Sequence, residues 1–173
     1  ILPHNFCELI EASIKYLRGR KFELLPDFQT GGSMDAGNYN EGKRGGKIRV
    51  RALIEELDKK TLVIRSVPYG VTTTQLMESI VKANDQGKIK IKKVTDHTAA
   101  NVEVLVELAP GISPDITIDA LYAFTDCEVG ISPNACVIVD QKPQFLGVHE
   151  LLKISADNTK ELLRKELEIR LGE

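Results

Sequence analysis

The chain has 173 residues, with 23 lysines and arginines against 25 aspartates and glutamates, so its formal net charge is -2. Hydrophobic residues make up 42% and charged residues 28%, which excludes a disordered or collagen-like chain and suffices for a buried core. No apolar run approaches the ~18 residues that span a bilayer, which argues against a membrane protein. Aromatic residues make up only 5% and tryptophan is absent, which argues against a stacking platform for single-stranded nucleic acid.

The start of the chain and its cysteines indicate where the protein resides. The sequence opens at Ile1 without an initiator methionine or a signal-peptide pattern, so we expect a chain that is cut from a longer protein, or trimmed. Cys7, Cys127 and Cys136 are odd in number and form no CxxC pair, which favours free thiols in a reducing compartment. We expect Cys127 and Cys136 to be packed thiols on adjacent apolar strands.

The first predicted element is a helix over 4–17, with Asn5 at its N-cap, Glu8 as capping-box partner and Gly19 at its end. A glycine-rich irregular loop then fills roughly 26–46, and loops of that length are typically functional or mobile. The apolar stripe predicted to face inward on the helix consists of Phe6, Leu9, Ile10, Ile14 and Leu17.

Hairpins and helices alternate through the rest of the chain. Alternating residues over 47–52 predict a strand that forms a hairpin with 60–67, across a turn near Asp58. Further helices are predicted over 73–86 (with Leu76, Ile80 and Val81 inward), from Pro114 onward, and over 148–171; further strands are predicted near 89–93, 102–108, 127–131 and 135–139. This order predicts an α+β fold, an antiparallel sheet of hairpins with helices packed on one face, ending in a long helix.

Two cationic runs depart from the nearly neutral average. The first consists of Lys43, Arg44, Lys47, Arg49 and Arg51, and the second of Lys88, Lys90, Lys92 and Lys93. Such asymmetry is typical of a polyanion-binding face. The alternative is that these charges meet acids across the sheet, with Glu103 and Glu107 opposite Lys90 and Lys92.

Motifs for nucleotide, metal or catalytic sites fail on inspection. Residues 37–43 fit GxxxxGK, but Arg44 replaces the Ser or Thr that binds Mg²⁺, and a strand rather than a helix is predicted to follow. His4, His97 and His149 lack the spacing of metal ligands, and no nucleophile has a partner base. We therefore predict no catalytic or metal site in this chain.

Several segments together carry the patterns of one family. They are ILPHN at 1–5 (like IPPHN), LPDFQTGG at 25–32 (like PDFPTGG), YNEGKRGGKIRVR at 39–51, VPYGV at 67–71 with Leu76 and Ile80, and the stretch 112–138. In this combination the chain resembles the A subunit of the bacterial type IIA DNA topoisomerases, topoisomerase IV and DNA gyrase. Residues 112–138 are most similar to topoisomerase IV.

The resemblance implies a role in holding DNA. Residues 1–147 would be the tower domain, which flanks the cleavage site, and 148–173 would begin a long coiled-coil helix. The tower would hold the double-stranded DNA gate segment by backbone contacts during ATP-dependent breakage, passage and rejoining. The residues expected at the phosphates are Lys43, Arg44, Gly45, Gly46, Lys47, Arg49 and Arg51, with Lys88, Lys90, Lys92 and Lys93 as a second set.

The resemblance also implies partners and an incomplete enzyme. The partners on the nucleoid would be double-stranded DNA, the B subunit, which would bind Mg²⁺ and ATP, and a second A subunit. The family's cleavage tyrosine follows an arginine in an upstream winged helix, and no tyrosine here has that context, so this stretch is expected to be inactive alone. Those tyrosines are Tyr16, Tyr39, Tyr69 and Tyr122.

Two functions of other classes also fit the residues. One is a small-molecule-sensing α+β module, which would have an apolar pocket with convergent polar groups. The other is a dimerisation element built on the apolar helix 148–171.

Overall fold

Helices and antiparallel strands alternate along residues 1–172, the part of the chain that the computed structural model describes. The helices are α1 (Phe6–Leu17), α2 (Thr73–Asp85), α3 (Pro114–Phe124) and α4 (Val148–Gly172). The strands are β1 (Ser33–Asn38), β2 (Lys47–Arg51), β3 (Ile54–Asp58), β4 (Thr61–Ile64), β5 (Ile91–Asp96), β6 (Val104–Leu108), β7 (Glu128–Ile131), β8 (Cys136–Val139) and β9 (Lys142–Phe145). The predicted α+β class and the long last helix are confirmed. Glu173, which ends the predicted domain 148–173, lies outside the described residues.

The chain divides into two compact units. The first unit combines Ile1–Asp27, Ala36–Lys47 and the stretch from Ser132 onward, and the second combines Phe28–Asp35 with Ile48–Ile131. Among residues 1–172, no helix is both long and apolar enough to cross a bilayer.

The strands form three sheets rather than a single one. Their orders are β1-β2-β7, β3-β4-β6-β5 and β8-β9. The predicted pairing of 47–52 with 60–67 is wrong, because β2 pairs with β7 and β4 pairs with β3. The chain changes sheet after β2, since the Ala52 N–H donates to the Cys127 carbonyl while the Leu53 carbonyl accepts from the Arg65 N–H.

The two strands predicted at 127–131 and 135–139 are also not neighbours. β8 instead forms a hairpin with β9, a strand that was not predicted because it contains Pro143. Asp140 and Gln141 make the turn, with φ of 50° and 63°, the left-handed values that two-residue hairpin turns require. Cys136 is exposed on this two-stranded hairpin, so the prediction of a packed thiol holds for Cys127 and is wrong for Cys136.

The core of the second unit lies between α2, α3 and the four-stranded sheet. Thr72 caps α2 by accepting from the Gln75 N–H, and the Gln75 side chain accepts from the Thr72 N–H in return. Leu76 and Ile80 are fully buried, as predicted. Val81 is instead 47% exposed, because the inner stripe continues at Ala83, three residues after Ile80.

In the first unit, α1 packs on α4. Asn5 caps α1 as predicted, its Oδ1 accepting from the Cys7 and Glu8 N–H groups. The predicted capping box is wrong, because within residues 1–172 the Glu8 side chain does not accept from the Asn5 N–H in return. The inward stripe is narrower than predicted: Ala12 is buried and Leu9 half-buried. The other four predicted inward residues, Phe6, Ile10, Ile14 and Leu17, are exposed.

The predicted irregular loop at 26–46 contains regular structure. It includes β1 and a single 3₁₀ turn over Asn40–Gly42. The turn shapes the first part of the cationic run, because Asn40, Glu41 and Gly42 all have positive φ.

Candidate nucleic-acid interface

β2 presents its cations to solvent, as its alternation predicts. Ile48 and Val50 are buried, and Lys47, Arg49 and Arg51 are exposed on the opposite face. Because successive strand residues point to opposite faces, burying the apolar pair fixes the direction of all three cations.

Two of these strand cations are paired with acids. The Arg49 Nη2 lies 2.6 Å from the Asp35 Oδ2, and its Nη1 lies 3.9 Å from the Glu128 Oε1. The Arg51 Nε lies 2.5 Å from the Glu128 Oε2, because Arg51 and Glu128 are register partners of β2 and β7. The hydrogen bond with Asp35 and the nearby carboxylates raise the pKa of Arg49. The alternative of acids meeting the charges across the sheet is therefore confirmed for Arg49 and Arg51.

Arg51 is also held by an aromatic ring. Its guanidinium carbon lies 4.7 Å from the centroid of the Tyr122 ring, and the Tyr122 hydroxyl donates to the Ala52 carbonyl at 2.9 Å. Burial is the main cause of the raised pKa of Tyr122. Arg51 is thus positioned by two contacts within the second unit.

Lys43 is directed toward the start of α4, within the first unit. Its Nζ lies 3.8 Å from the Glu41 Oε2 and 3.7 Å from the Glu150 Oε1. Its stem runs along Gly147, where an added Cβ would meet the Lys43 Cε at 2.6 Å. The two carboxylates outnumber this one cation, so the first residue of the cationic run is locally neutralised.

Glu41 is itself fixed by a histidine. The His149 Nδ1 lies 3.2 Å from the Glu41 Oε1, and the His149 Nε2 accepts from the Leu24 N–H at 3.1 Å. An imidazole that accepts at Nε2 carries its proton at Nδ1, so a neutral His149 donates to Glu41. The left-handed turn that carries Glu41 is in this way attached to α4.

A second histidine supports the same loop. The His4 Nδ1 donates to the Leu2 carbonyl at 2.8 Å, which leaves Nε2 to accept from the Tyr39 hydroxyl at 3.4 Å. Burial lowers the pKa of His4 and raises the pKa of Tyr39, so both stay neutral near pH 7. The uncharged His4–Tyr39 pair therefore supports the glycine-rich turn from beneath without adding a charge to it.

Arg44 and Lys47 differ from their neighbours in the run. Both are exposed, and neither forms an ion pair with any residue in 1–172. Gly45, between them, is exposed and has φ of +90° with open space around it. Gly46 is buried, and an added Cβ there would overlap the Tyr39 carbonyl, so the packing of the loop itself requires this glycine.

The second cationic run is less neutralised than the first. The Lys92 Nζ lies 3.5 Å from the Glu107 Oε2, whereas Glu103 binds Arg65 at 3.2 Å instead of Lys90. The predicted cross-strand neutralisation is therefore confirmed for Lys92 and wrong for Lys90. The Lys88 Nζ lies 5.8 Å from the Phe124 ring centroid, and Lys90 and Lys93 form no ion pair within the described chain.

A third cationic run was not predicted as a site. Lys15, Arg18, Arg20 and Lys21 place four cations in seven residues, and all four are exposed. Lys15 lies on the polar side of α1 and Arg18 is its C-cap residue, so the run is divided between a helix and the segment that follows it. Counting charges in a sliding window, independently of secondary structure, finds the run.

Comparison with known proteins shows one family along the whole chain. Residues 1–173 match the family described as the A subunit of DNA gyrase/topoisomerase IV. The chain is 39% identical over 170 residues to the A subunit of DNA topoisomerase 4 from Borreliella burgdorferi, covering 98% of this chain and 27% of that protein. It is 32% identical over 189 residues to the A subunit of DNA gyrase from Lawsonia intracellularis, covering 99% of this chain and 23% of that protein.

A further gyrase A subunit, from Brachyspira hyodysenteriae, is 29% identical over 189 residues, covering 99% of this chain and 23% of that protein. The chain spans about a quarter of the length of the curated relatives it matches. The predicted resemblance, drawn from short motifs between 1 and 138, is therefore confirmed over the full length. Because the family match extends over residues 1–173, and β2 exposes its cations, the chain belongs to the family of DNA gyrase and topoisomerase IV A subunits.

Proposed function

We propose that this chain holds double-stranded DNA through its phosphate backbone, as the tower region of a type IIA topoisomerase A subunit. The observation that carries the proposal is the family match over residues 1–173. The exposed cations of β2 and of the loop before it supply the chemistry, since lysine and arginine bind phosphates without regard to sequence.

The ion pairs of the first run are compatible with this role. The side chains of Arg49 and Asp35 are 54% and 55% exposed. Ion pairs between side chains this exposed contribute little to stability, so a phosphate can replace a carboxylate at small cost. Arg44 and Lys47 need no such exchange, and we rank them first among the proposed contacts. Lys43, Gly45, Gly46, Arg49 and Arg51 follow, with Lys88, Lys90, Lys92 and Lys93 as the second set.

In the intact protein, this region would serve ATP-dependent breakage, passage and rejoining of duplex DNA. The proposed partners, in the cytoplasm on the nucleoid, are a B subunit that would hold ATP and Mg²⁺, together with a second A subunit. The residues present here do not fit a metal, because within 1–172 no three His, Cys, Asp or Glu side chains come together as ligands.

The test is fluorescence anisotropy of a ~30 bp duplex titrated with the chain between about 50 and 200 mM salt. We expect weak binding that falls steeply with salt. The double variant Arg44→Gln, Lys47→Gln should reduce the slope of log K against log salt by about 2, because each phosphate contact contributes about 0.9.

The matched control is Lys59→Gln, Lys60→Gln, which removes two exposed cations from the turn between β3 and β4. It should leave the slope unchanged. Absence of duplex binding by the unsubstituted chain at about 50 mM salt would contradict the proposal. Equal slopes for the two double variants would remove Arg44 and Lys47 from the interface.

A second candidate function is helix pairing through the later part of α4. Five large apolar residues there are more than half exposed: Leu162, Leu163, Leu167, Ile169 and Leu171. Leu163, Leu167 and Leu171 recur every four residues and share one face with Ala156 and Thr159, beside Leu17 of α1. An exposed apolar stripe of this kind is typical of a helix that packs against another helix.

A further inference from the structure

The third cationic run forms a compact turn at the end of α1. The Arg18 N–H donates to the Ile14 carbonyl, and Gly19 follows with φ of +68°. The Arg20 N–H then returns to the Lys15 carbonyl at 2.8 Å. The chain therefore reverses at Gly19, as is usual at helix ends that carry a glycine, and Arg20 lies beside the last turn of α1. Lys15, Arg18, Arg20 and Lys21 therefore share one small surface.

The segment that carries this turn crosses α4. The Tyr16 hydroxyl donates to the Asp157 Oδ2 at 2.8 Å, and the Phe22 ring lies 5.0 Å from the His149 ring. His149, Lys153 and Asp157 are four residues apart, so they share one face of α4. Lys153, which is exposed, accordingly lies between the two points where the segment contacts the helix. It adds a fifth cation to the turn, and these five residues are called the α1-end patch.

Within residues 1–172, no member of the α1-end patch forms an ion pair, whereas Lys43, Arg49, Arg51 and Lys92 all do. Asp157, an acid on the same face of α4 as Lys153, accepts a hydrogen bond from the Tyr16 hydroxyl. The helix dipole gives a partial structural reason for Lys15 and Arg18, since cations near a helix C-terminus are stabilising. The helix dipole gives no structural reason for Arg20 and Lys21, which lie beyond the end of α1, or for Lys153, which lies in the second turn of α4.

We propose that the α1-end patch is a second contact surface for the phosphate backbone of duplex DNA, separate from the residues of β2. Its two arginines carry planar forks that suit phosphate oxygens. Its aromatic neighbours, Tyr16 and Phe22, are half-buried and pack edge-to-face against each other at 6.4 Å, so the patch consists mainly of cations rather than of stacking rings. The patch thus binds backbone and is insensitive to base sequence. This inference rests on the proposed function, since it takes duplex DNA as the polyanion.

The experiment compares the triple variant Arg18→Gln, Arg20→Gln, Lys21→Gln with the unsubstituted 173-residue chain, by anisotropy of two ~30 bp duplexes of different sequence. Glutamine is chosen because it keeps helix propensity and places no negative charge at the helix end. We expect the slope of log K against log salt to fall by about 2–3 and affinity at about 100 mM salt to fall about tenfold, equally for both duplexes.

The control is Lys59→Gln, Lys60→Gln, Lys82→Gln, three exposed cations of the second unit, for which less than a twofold change is expected. Thermal unfolding of each variant checks that the fold is retained. A triple variant with unchanged slope and affinity overturns the inference. The inference is also overturned if the triple variant loses binding to polyglutamate and keeps its binding to DNA, since that result would indicate an acidic protein partner.

The outcome separates this inference from the proposed function. If only the Arg44, Lys47 variant shows a smaller slope of log K against log salt, the α1-end patch does not contact DNA and the proposed interface on the first run is supported. Loss in the α1-end triple variant alone supports the patch and removes Arg44 and Lys47 from the interface. A chain that binds neither duplex at about 50 mM salt overturns both.

Discussion

At the scale of single residues, Gly46 is fixed by the backbone around it. A Cβ at this position would overlap the Tyr39 carbonyl oxygen and lie 3.2 Å from that of Lys43. Because both obstacles are backbone atoms, relief requires the loop to move. We expect Gly46→Ala to lower the free energy of unfolding by about 2 kcal/mol or more. Urea denaturation followed by circular dichroism measures this change.

Gly45→Ala is the matched control for that substitution. Nothing lies within 4 Å of an added Cβ at position 45, but its φ of +90° disfavours any side chain. The expected loss is about 1 kcal/mol, from backbone strain alone. If Gly45→Ala proves as costly as Gly46→Ala, overlap with Tyr39 is not what makes Gly46 necessary.

The buried thiol of Cys127 makes stability depend on alkaline pH. Burial raises its pKa from the usual 9.0 to about 11, with a smaller opposing effect from the hydrogen bond with Thr125. The folded state therefore keeps its proton where the unfolded state has lost it. This stability is fully present below about pH 9 and is lost as the pH rises toward about 11. Between about pH 8 and pH 10.5 the loss amounts to about 2 kcal/mol.

The variant Cys127→Ala isolates this contribution, since other groups also titrate in that range. Unfolding free energies at about pH 8 and pH 10.5 should differ by about 2 kcal/mol less in the variant than in the unsubstituted chain. An identical pH dependence in both proteins would show that the thiol is not shielded from water in the folded state.

The charges show what the sequence could predict at the residue scale. Alternation alone predicted that Lys47, Arg49 and Arg51 point to solvent, because period-two burial is local information. It could not predict which of them are neutralised. Glu128, which binds two of these arginines, lies 77 positions from Arg51 and becomes its neighbour only through the pairing of β2 with β7.

At the scale of elements, the apolar stripe of α4 is the feature most open to test. Leu163 and Leu167 are both more than half exposed. We expect the chain to self-associate at high concentration through this stripe. Burying a leucine contributes about 1.5–3 kcal/mol, so Leu163→Gln with Leu167→Gln should raise the dimer dissociation constant at least about tenfold. Sedimentation velocity over a concentration series measures it.

Leu53→Gln with Leu57→Gln is the corresponding control, since both leucines are exposed and both lie in the second unit. It removes the same kind of surface away from α4 and should leave association unchanged. A chain that stays monomeric at every concentration, or equal effects of the two double variants, would argue against helix pairing through this stripe.

The helices were predicted more accurately than the strand pairings, for a physical reason. Helix ends depend on nearby residues, and the capping by Asn5 and Thr72 is visible in the sequence. Strand partners depend on where the chain turns between sheets. The departure at Ala52 and Leu53 has no turn signature, so β3 was missed and β4 was assigned the wrong neighbour.

At the scale of the whole molecule, the family was predictable and the distribution of charge was not. Several short motifs between 1 and 138 indicate the same family, and the family match over the full length confirms it. A net charge of -2 conceals three cationic runs whose free charge depends on long-range contacts. The first run has the most cations in the sequence, but Lys43, Arg49 and Arg51 in it are paired with acids. Among residues 1–172, the run at the end of α1 forms no ion pair.

The discontinuity of the first unit bears on how the chain is made. Its α1 is synthesised early, yet the helix on which α1 packs begins at Val148, after the whole of the second unit. On the ribosome, the second unit can close soon after Ile131 emerges, whereas Leu9 and Ala12 of α1 stay uncovered until α4 has been made. Translation speed across 132–160 therefore sets how long a nascent apolar helix is available to chaperones.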